Sequence, residues 1–185
     1  MILNATDYST KSVSRYMKYF RELVIQSLED DDTMIGGNGI VVEIDESKFS
    51  KGKKDTGIWV VGGVERTDQR KCFFKMVNQR DAETIRDIIS KHVLPGSIMI
   101  TNYWKGYQNL DDFNVRHERV NRSREFINSN GMHTNTIEET WKGLKIRIHP
   151  RNRDIESIDD YLLEFIWRRK YEGYLNACSS KCYPK

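Results

Sequence analysis

Three short stretches carry residues whose types could do chemistry together. The first, Gly39-Ile40-Val41-Val42-Glu43-Ile44-Asp45-Glu46, is an apolar, β-branched run that reads as a buried strand delivering Asp45 and Glu46 at its C-terminal end. The second, Ile98-Met99-Ile100-Thr101-Asn102, is another apolar strand ending on a polar residue, and the third, Asn135-Thr136-Ile137-Glu138, opens a helix. Two strand ends and a helical glutamate are the layout of a metal-dependent nuclease. Its three carboxylates hold two divalent cations roughly 3.5 to 4 Å apart, one activating water or a 3′-hydroxyl and the other stabilising the leaving oxygen of a phosphodiester. Mg²⁺ or Mn²⁺ calls for anionic oxygen ligands. Asp45 and Glu138 supply them here, whereas position 102 supplies a neutral amide.

The elements that must position these residues can be read in order. Thr10 can cap a helix with Val13, Tyr16, Met17, Phe20, Leu23, Val24 and Leu28 at three- and four-residue spacing, read as a helix docking on the domain that follows or as a remnant of a DNA-binding module. The acidic run Glu29-Asp30-Asp31-Asp32 and Gly36-Gly37-Asn38-Gly39 lead into the first strand. Two further strands, Gly57 to Val64 and Lys71 to Val77, joined by the turn at Thr67-Asp68-Gln69, are expected to be antiparallel neighbours. Asp81 caps a helix with Ile85, Ile88, Ile89 and Val93, stopped at Pro95-Gly96. The crossover through that helix predicts that the strand ending at Asn102 runs parallel to an earlier one. A helical turn at Trp104 to Leu110, a strand at Asn114 to Val120, a polar loop from Asn121 to Gly131, a helix from Thr134 with Ile137, Trp141 and Leu144, and a last helix capped near Asp154 complete the chain. The order is that of an α/β, ribonuclease-H-like mixed sheet: three antiparallel strands, then helix-linked parallel strands, flanked by helices. It implies an N-terminal helix and acidic linker over 1–35, a ribonuclease-H-like domain over 36–172 and a C-terminal tail over 173–185. In this topology the first strand and the strand after the first long crossover helix are neighbours, so Asp45 should meet position 102. Glu46 should point to the opposite face from Asp45, and Asp111 and Asp112 lie beyond the Trp104 turn, so neither is expected to replace the missing carboxylate.

Composition narrows the class. The 185 residues are 38% hydrophobic and 31% charged, and no apolar run approaches the roughly 20 residues of a membrane span, so a soluble domain without membrane partners is expected. Cys72, Cys178 and Cys182 are an odd number without the ligand pairs of a zinc site and read as reduced thiols of an intracellular protein. The net charge of +3 conceals an asymmetry: up to Glu46 there are 4 basic and 9 acidic residues, and beyond it 26 basic and 18 acidic. A basic body suits a phosphate backbone, and the loop bearing Lys48, Lys51, Lys53 and Lys54, next to Asp45, is the strongest candidate for contacting it, with Arg122 and Arg124 in the later polar loop. Arg168, Arg169 and Lys170 fit a DNA grip or a solvated helix end equally well, and Trp59, Trp104 and Trp141 read as core and sheet-packing residues.

Several motifs in order resemble the Merlin-type DDE transposases, eukaryotic relatives of a bacterial insertion-sequence group. They are Val42-Glu43-Ile44-Asp45-Glu46-Ser47-Lys48-Phe49, Trp59-Val60-Val61-Gly62-Gly63-Val64-Glu65-Arg66, Leu94-Pro95-Gly96-Ser97, Trp104-Lys105-Gly106-Tyr107, His133-Thr134-Asn135-Thr136-Ile137-Glu138 and Glu164-Phe165-Ile166-Trp167-Arg168-Arg169-Lys170-Tyr171. The resemblance implies a domain that cuts and joins double-stranded DNA at element ends with Mg²⁺ or Mn²⁺, works as a homo-oligomer and, in a eukaryote, is nuclear. It assigns Asp45 and Glu138 to the catalytic, metal-binding carboxylates and Asn102 to the place of the second Asp, and it gives His133 a role at substrate phosphate. An amide at 102 removes one negative charge of three; since even outer-sphere changes cost about 10- to 100-fold in metal affinity or activity, impaired catalysis is expected. The alternative is a domain kept as a non-catalytic DNA- or protein-binding module.

Overall fold

The computed structural model describes residues 9–49, 57–108, 110, 114–120 and 133–172. In chain order the elements are α1 (Thr10–Gln26), β1 (Ile35–Gly36), β2 (Val41–Lys48), β3 (Trp59–Glu65), β4 (Cys72–Val77), α2 (Ala82–His92), β5 (Val93–Leu94), β6 (Ile98–Thr101), β7 (Arg116–Arg119), α3 (Asn135–Arg147) and α4 (Ile158–Lys170). A 3₁₀ turn at Lys105–Tyr107 follows β6, and another at Asp30–Thr33 follows α1.

The five-stranded sheet has the order β4-β3-β2-β6-β7. The first three strands form an antiparallel meander, and β6 and β7 then add in parallel. The crossover through α2 has the parallel sense expected from its length. The two-residue strands β1 and β5 pair with each other in parallel beside this sheet.

Alternate residues of the sheet feed two cores. On one face Val60, Val64, Cys72 and Phe74 pack with Ile137, Trp141, Leu144 and Ile148 and with the α4 residues Ile158, Leu162, Phe165 and Ile166. On the other, Val42, Ile44, Val61, Phe73 and Met99 pack with Ile85 and Ile89 of α2 and with Tyr107. The sheet is therefore the middle of three layers, and β2, paired on both edges, turns Val42 and Ile44 to the α2 core and Glu43 and Asp45 to α3. Burial pushes the free Cys72 thiol up to about 11, as a packed apolar residue rather than a reactive one.

Two local expectations need correcting. Ser9 rather than Thr10 caps α1, its Oγ accepting from the Ser12 N–H at 3.2 Å, because the residue with extended backbone just before the first helical turn is the one that can reach back. The first strand also does not end at Glu46: β2 continues to Lys48, its carbonyls and amides paired with β3 as far as Trp59. Asp45 is thus an interior, buried strand residue. Asp81 caps α2 as expected, accepting from Thr84 N–H at 2.8 Å.

Candidate active site

The register β2–β6 aligns Val41, Val42 and Glu43 with Ile98, Met99 and Ile100, which carries Asp45 alongside position 102. The Asn102 side chain faces it, its Nδ2 donating to Asp45 Oδ1 at 3.4 Å, while its Oδ1 accepts from the Trp104 N–H at 2.9 Å. These two bonds orient the amide: the NH₂ points at the carboxylate and the oxygen is turned away. The other oxygen of Asp45 accepts from Trp141 Nε1 of α3 at 3.2 Å. That approach depends on Gly62, the residue paired with Asp45 across β3, since a Cβ there would lie 2.7 Å from the Trp141 ring. Trp141 was read as packing alone; it packs and also donates to the carboxylate.

Two residues earlier on the same face, Glu43 is fully buried and held by much shorter contacts. Arg66 Nε donates to its Oε1 at 2.6 Å, and the Ile137 N–H, in the first turn of α3, donates to its Oε2 at 2.8 Å. A carboxylate at a helix N-terminus satisfies a free amide and complements the helix dipole. Arg66 also donates to the His133 carbonyl at 2.5 Å and lies 3.1 Å from its Nδ1, which is 3.7 Å from Glu43. Glu43, Arg66 and His133 thus tie the start of α3 to β2. Sequence reading quoted Glu43 and Arg66 within motifs but gave them no task; the available signal was a charge inside an apolar strand, in phase with Asp45.

Glu138 lies half-buried on that first turn, between Ile137, anchored at Glu43, and Trp141, anchored at Asp45. Because the two anchors fall four residues apart on the helix and two apart on the strand, α3 runs along β2, which sets Glu138 on the Asp45 side of the sheet.

The opposite face holds Glu46, as alternation requires. Tyr107 donates to its Oε2 at 2.7 Å and Arg80 stands 4.0 Å from Oε1. Burial chiefly, with the nearby Asp45 charge, raises its carboxyl above the ordinary range against the opposing hydrogen bond from Tyr107. Arg80 also stacks over Trp59 at 3.5 Å. Lys145, farther along α3, is lowered by burial and by Arg153, with Asp45 acting in the other direction.

Among the basic candidates, Lys48 is half-buried at the end of β2, 5.8 Å from the Trp59 ring. Lys51, Lys53, Lys54, Arg122 and Arg124 lie outside the described residues. Arg168 pairs with Glu164 at 2.8 Å, Arg169 donates to the Arg70 carbonyl at 3.3 Å and Lys170 pairs with Asp32 at 2.7 Å. The Arg168 pair is internal to α4, and Arg169 and Lys170 fasten the end of that helix to its neighbours.

The donor set as it stands is a poor fit for a pair of divalent cations. One of three positions presents N–H groups inward, and among the described residues no group of three or more His, Cys, Asp or Glu is placed to hold a metal ion.

No curated protein matches the chain. Among solved structures it is similar to a chain of the simian T-cell lymphotropic virus intasome in complex with PP2A regulatory subunit B56 gamma, seen by electron cryomicroscopy. The match has a TM-score of 0.52 at 14% identity and covers 73% of this chain and 50% of that one. The likeness shows the fold, a ribonuclease-H-like mixed sheet, and the chain spans about half that relative's length. The family model for the ISXO2-like transposase domain matches residues 26–170, well over half of the sequence, and its span includes β2, β6 and α3 with every site residue described above. The chain therefore belongs to the ISXO2-like transposase domain family.

Proposed function

We propose that this is a Merlin-type DDE transposase domain whose lineage cleaves and joins double-stranded DNA at transposon ends, and whose own site is impaired by Asn102. Asp45, Glu138 and an aspartate at position 102 would be the ligands of Mg²⁺ or Mn²⁺ in the unimpaired site. A bound cation would supply activated water and charge neutralisation at the scissile phosphate. With Asn102 in place the same centre holds cations weakly. Lys48, Lys51, Lys53, Lys54, Arg122, Arg124 and His133 would contact the DNA backbone, and a second copy of the chain would complete the assembly on paired ends.

The observation that carries this reading is the adjacency of Asp45 and Asn102 on neighbouring parallel strands, with α3 laid along them. The Asn102 amide also favours a second reading, a non-catalytic DNA- or protein-binding module, because its hydrogen bond to Asp45 stabilises the centre without a cation. Mn²⁺-dependent nicking of supercoiled plasmid separates the two. Under the first reading Asn102→Asp nicks at least about 100-fold faster than the unmodified chain, and adding Glu138→Gln abolishes the gain. If Asn102→Asp folds, binds DNA and still does not nick, the module reading replaces it.

A further inference from the structure

The apolar arc of α1 is wider than the surface it rests on. One side faces α4: Val24 is buried, Arg21 pairs with Glu164 at 2.7 Å and stacks over Tyr161 at 3.8 Å, and Phe20 meets the edge of Trp167. The other side is open. Tyr16, Tyr19, Phe20 and Leu23 are 67, 53, 46 and 66% exposed, and they fall within about 100° of helix circumference. Taking roughly 150 to 250 Å² per aromatic side chain, the stripe presents on the order of 400 Å² of apolar surface, the size of patch that marks an interaction site rather than scattered surface residues.

The charges beside the stripe say what fits it. From Ser9 to Phe20 the helix carries Lys11, Arg15 and Lys18 and no acid, whereas its C-terminal end and the following turn carry Glu22, Glu29, Asp30 and Asp31. Arg15 and Glu22 lie on the same flank of the stripe, four residues before Tyr19 and two after Phe20, so a two-fold there leaves them offset by about 3 Å along the axis, within the reach of their long side chains. Among the described residues Glu22 pairs with a mostly exposed Lys18 at 4.0 Å.

We infer that the Tyr16–Tyr19–Phe20–Leu23 face of α1 docks antiparallel on the same face of a second copy of this chain. Under a two-fold axis near Tyr19 and Phe20, Tyr16 of one copy packs on Leu23 of the other, and each Arg15 meets Glu22 of the second copy. The basic half of each helix then lies against the acidic end of the other. This gives a surface to the self-association proposed above and rests on that reading.

Sedimentation equilibrium of the full chain over about 1 to 200 µM, the range of a small helix-pair interface, tests it. A monomer–dimer equilibrium is expected. The pair Tyr16→Glu/Leu23→Glu, at exposed positions that spare the fold by circular dichroism, should hold the chain monomeric throughout. Arg15→Glu should weaken the dimer about five- to tenfold, as two symmetry-related pairs become repulsive, and Arg15→Glu/Glu22→Arg should return it to within about twofold of the starting affinity. A monomer at every concentration overturns both self-association and this surface. A dimer indifferent to Tyr16→Glu/Leu23→Glu overturns the surface and leaves self-association standing, and failure of the charge exchange to restore affinity overturns the antiparallel arrangement.

Discussion

Glu43 and Asp45 occupy the same strand and the same face, yet the protein treats them differently. Glu43 is met by a guanidinium at 2.6 Å and a helix-terminal amide at 2.8 Å, strong charge-assisted bonds that make it a joint between β2, β3 and α3. Among its described hydrogen bonds Asp45 accepts from an indole at 3.2 Å and an amide at 3.4 Å, and the Lys145 charge acts on it from farther along α3. A carboxylate clasped by short charge-assisted bonds holds the framework, and one whose described bonds are longer is the better placed to take another ligand. On this contrast Glu43 is a positioning residue and Asp45 the proposed catalytic one.

The largest expected effect is at the joint. Glu43→Ala should cost about 3–5 kcal/mol in denaturant unfolding, because Arg66 and the Ile137 amide lose their partner inside the protein. The near-isosteric Asp45→Asn should cost less, about 1–2 kcal/mol, because its one amide oxygen can accept only one of the two N–H groups that Asp45 meets and its NH₂ is set against the other. Equal losses at the two positions would break the contrast.

A smaller effect tests how Asp45 is presented. Gly62→Val should cost about 1–3 kcal/mol by forcing Trp141 aside, visible as a shift in tryptophan fluorescence, whereas Trp141→Phe should cost roughly 1–2 kcal/mol through a lost hydrogen bond and some packing. A Gly62→Val protein with unchanged fluorescence would show that the indole does not depend on that gap.

The smallest concerns Glu46, on the other face. Its folded pKa lies above the unfolded value near 4.5, so the folded state binds its proton more tightly, and the contribution is full below pH 4.5 and lost as pH rises through the folded pKa. Glu46→Gln should therefore flatten the fall in melting temperature above pH 4.5, and an unchanged slope would contradict it.

Much of this architecture was legible because strands and crossovers leave strong marks. The β-branched stretch at 39–46, the apolar one at 98–102 and the helix between them imply parallel neighbours, which is enough to bring Asp45 to Asn102. The extension of β2 to Lys48 was hidden because polar residues in a paired strand look like the start of a loop. The Glu43–Arg66 pair was equally hidden, since a buried ion pair is defined by a partner 23 residues away, and sequence spacing carries no record of it. In α1 the helical period identified an apolar arc but could not say that α4 covers only part of it.

We propose that one amide at position 102 has exchanged a cation site for a hydrogen bond. Thermal unfolding in EDTA and in Mn²⁺, for the chain and for Asn102→Asp, tests it without any need for catalysis. The unmodified chain should gain little melting temperature in Mn²⁺ over EDTA, whereas Asn102→Asp should melt lower in EDTA, where two carboxylates face each other, and recover in Mn²⁺. A rise in melting temperature of the unmodified chain with Mn²⁺, equal to that of Asn102→Asp, would contradict it.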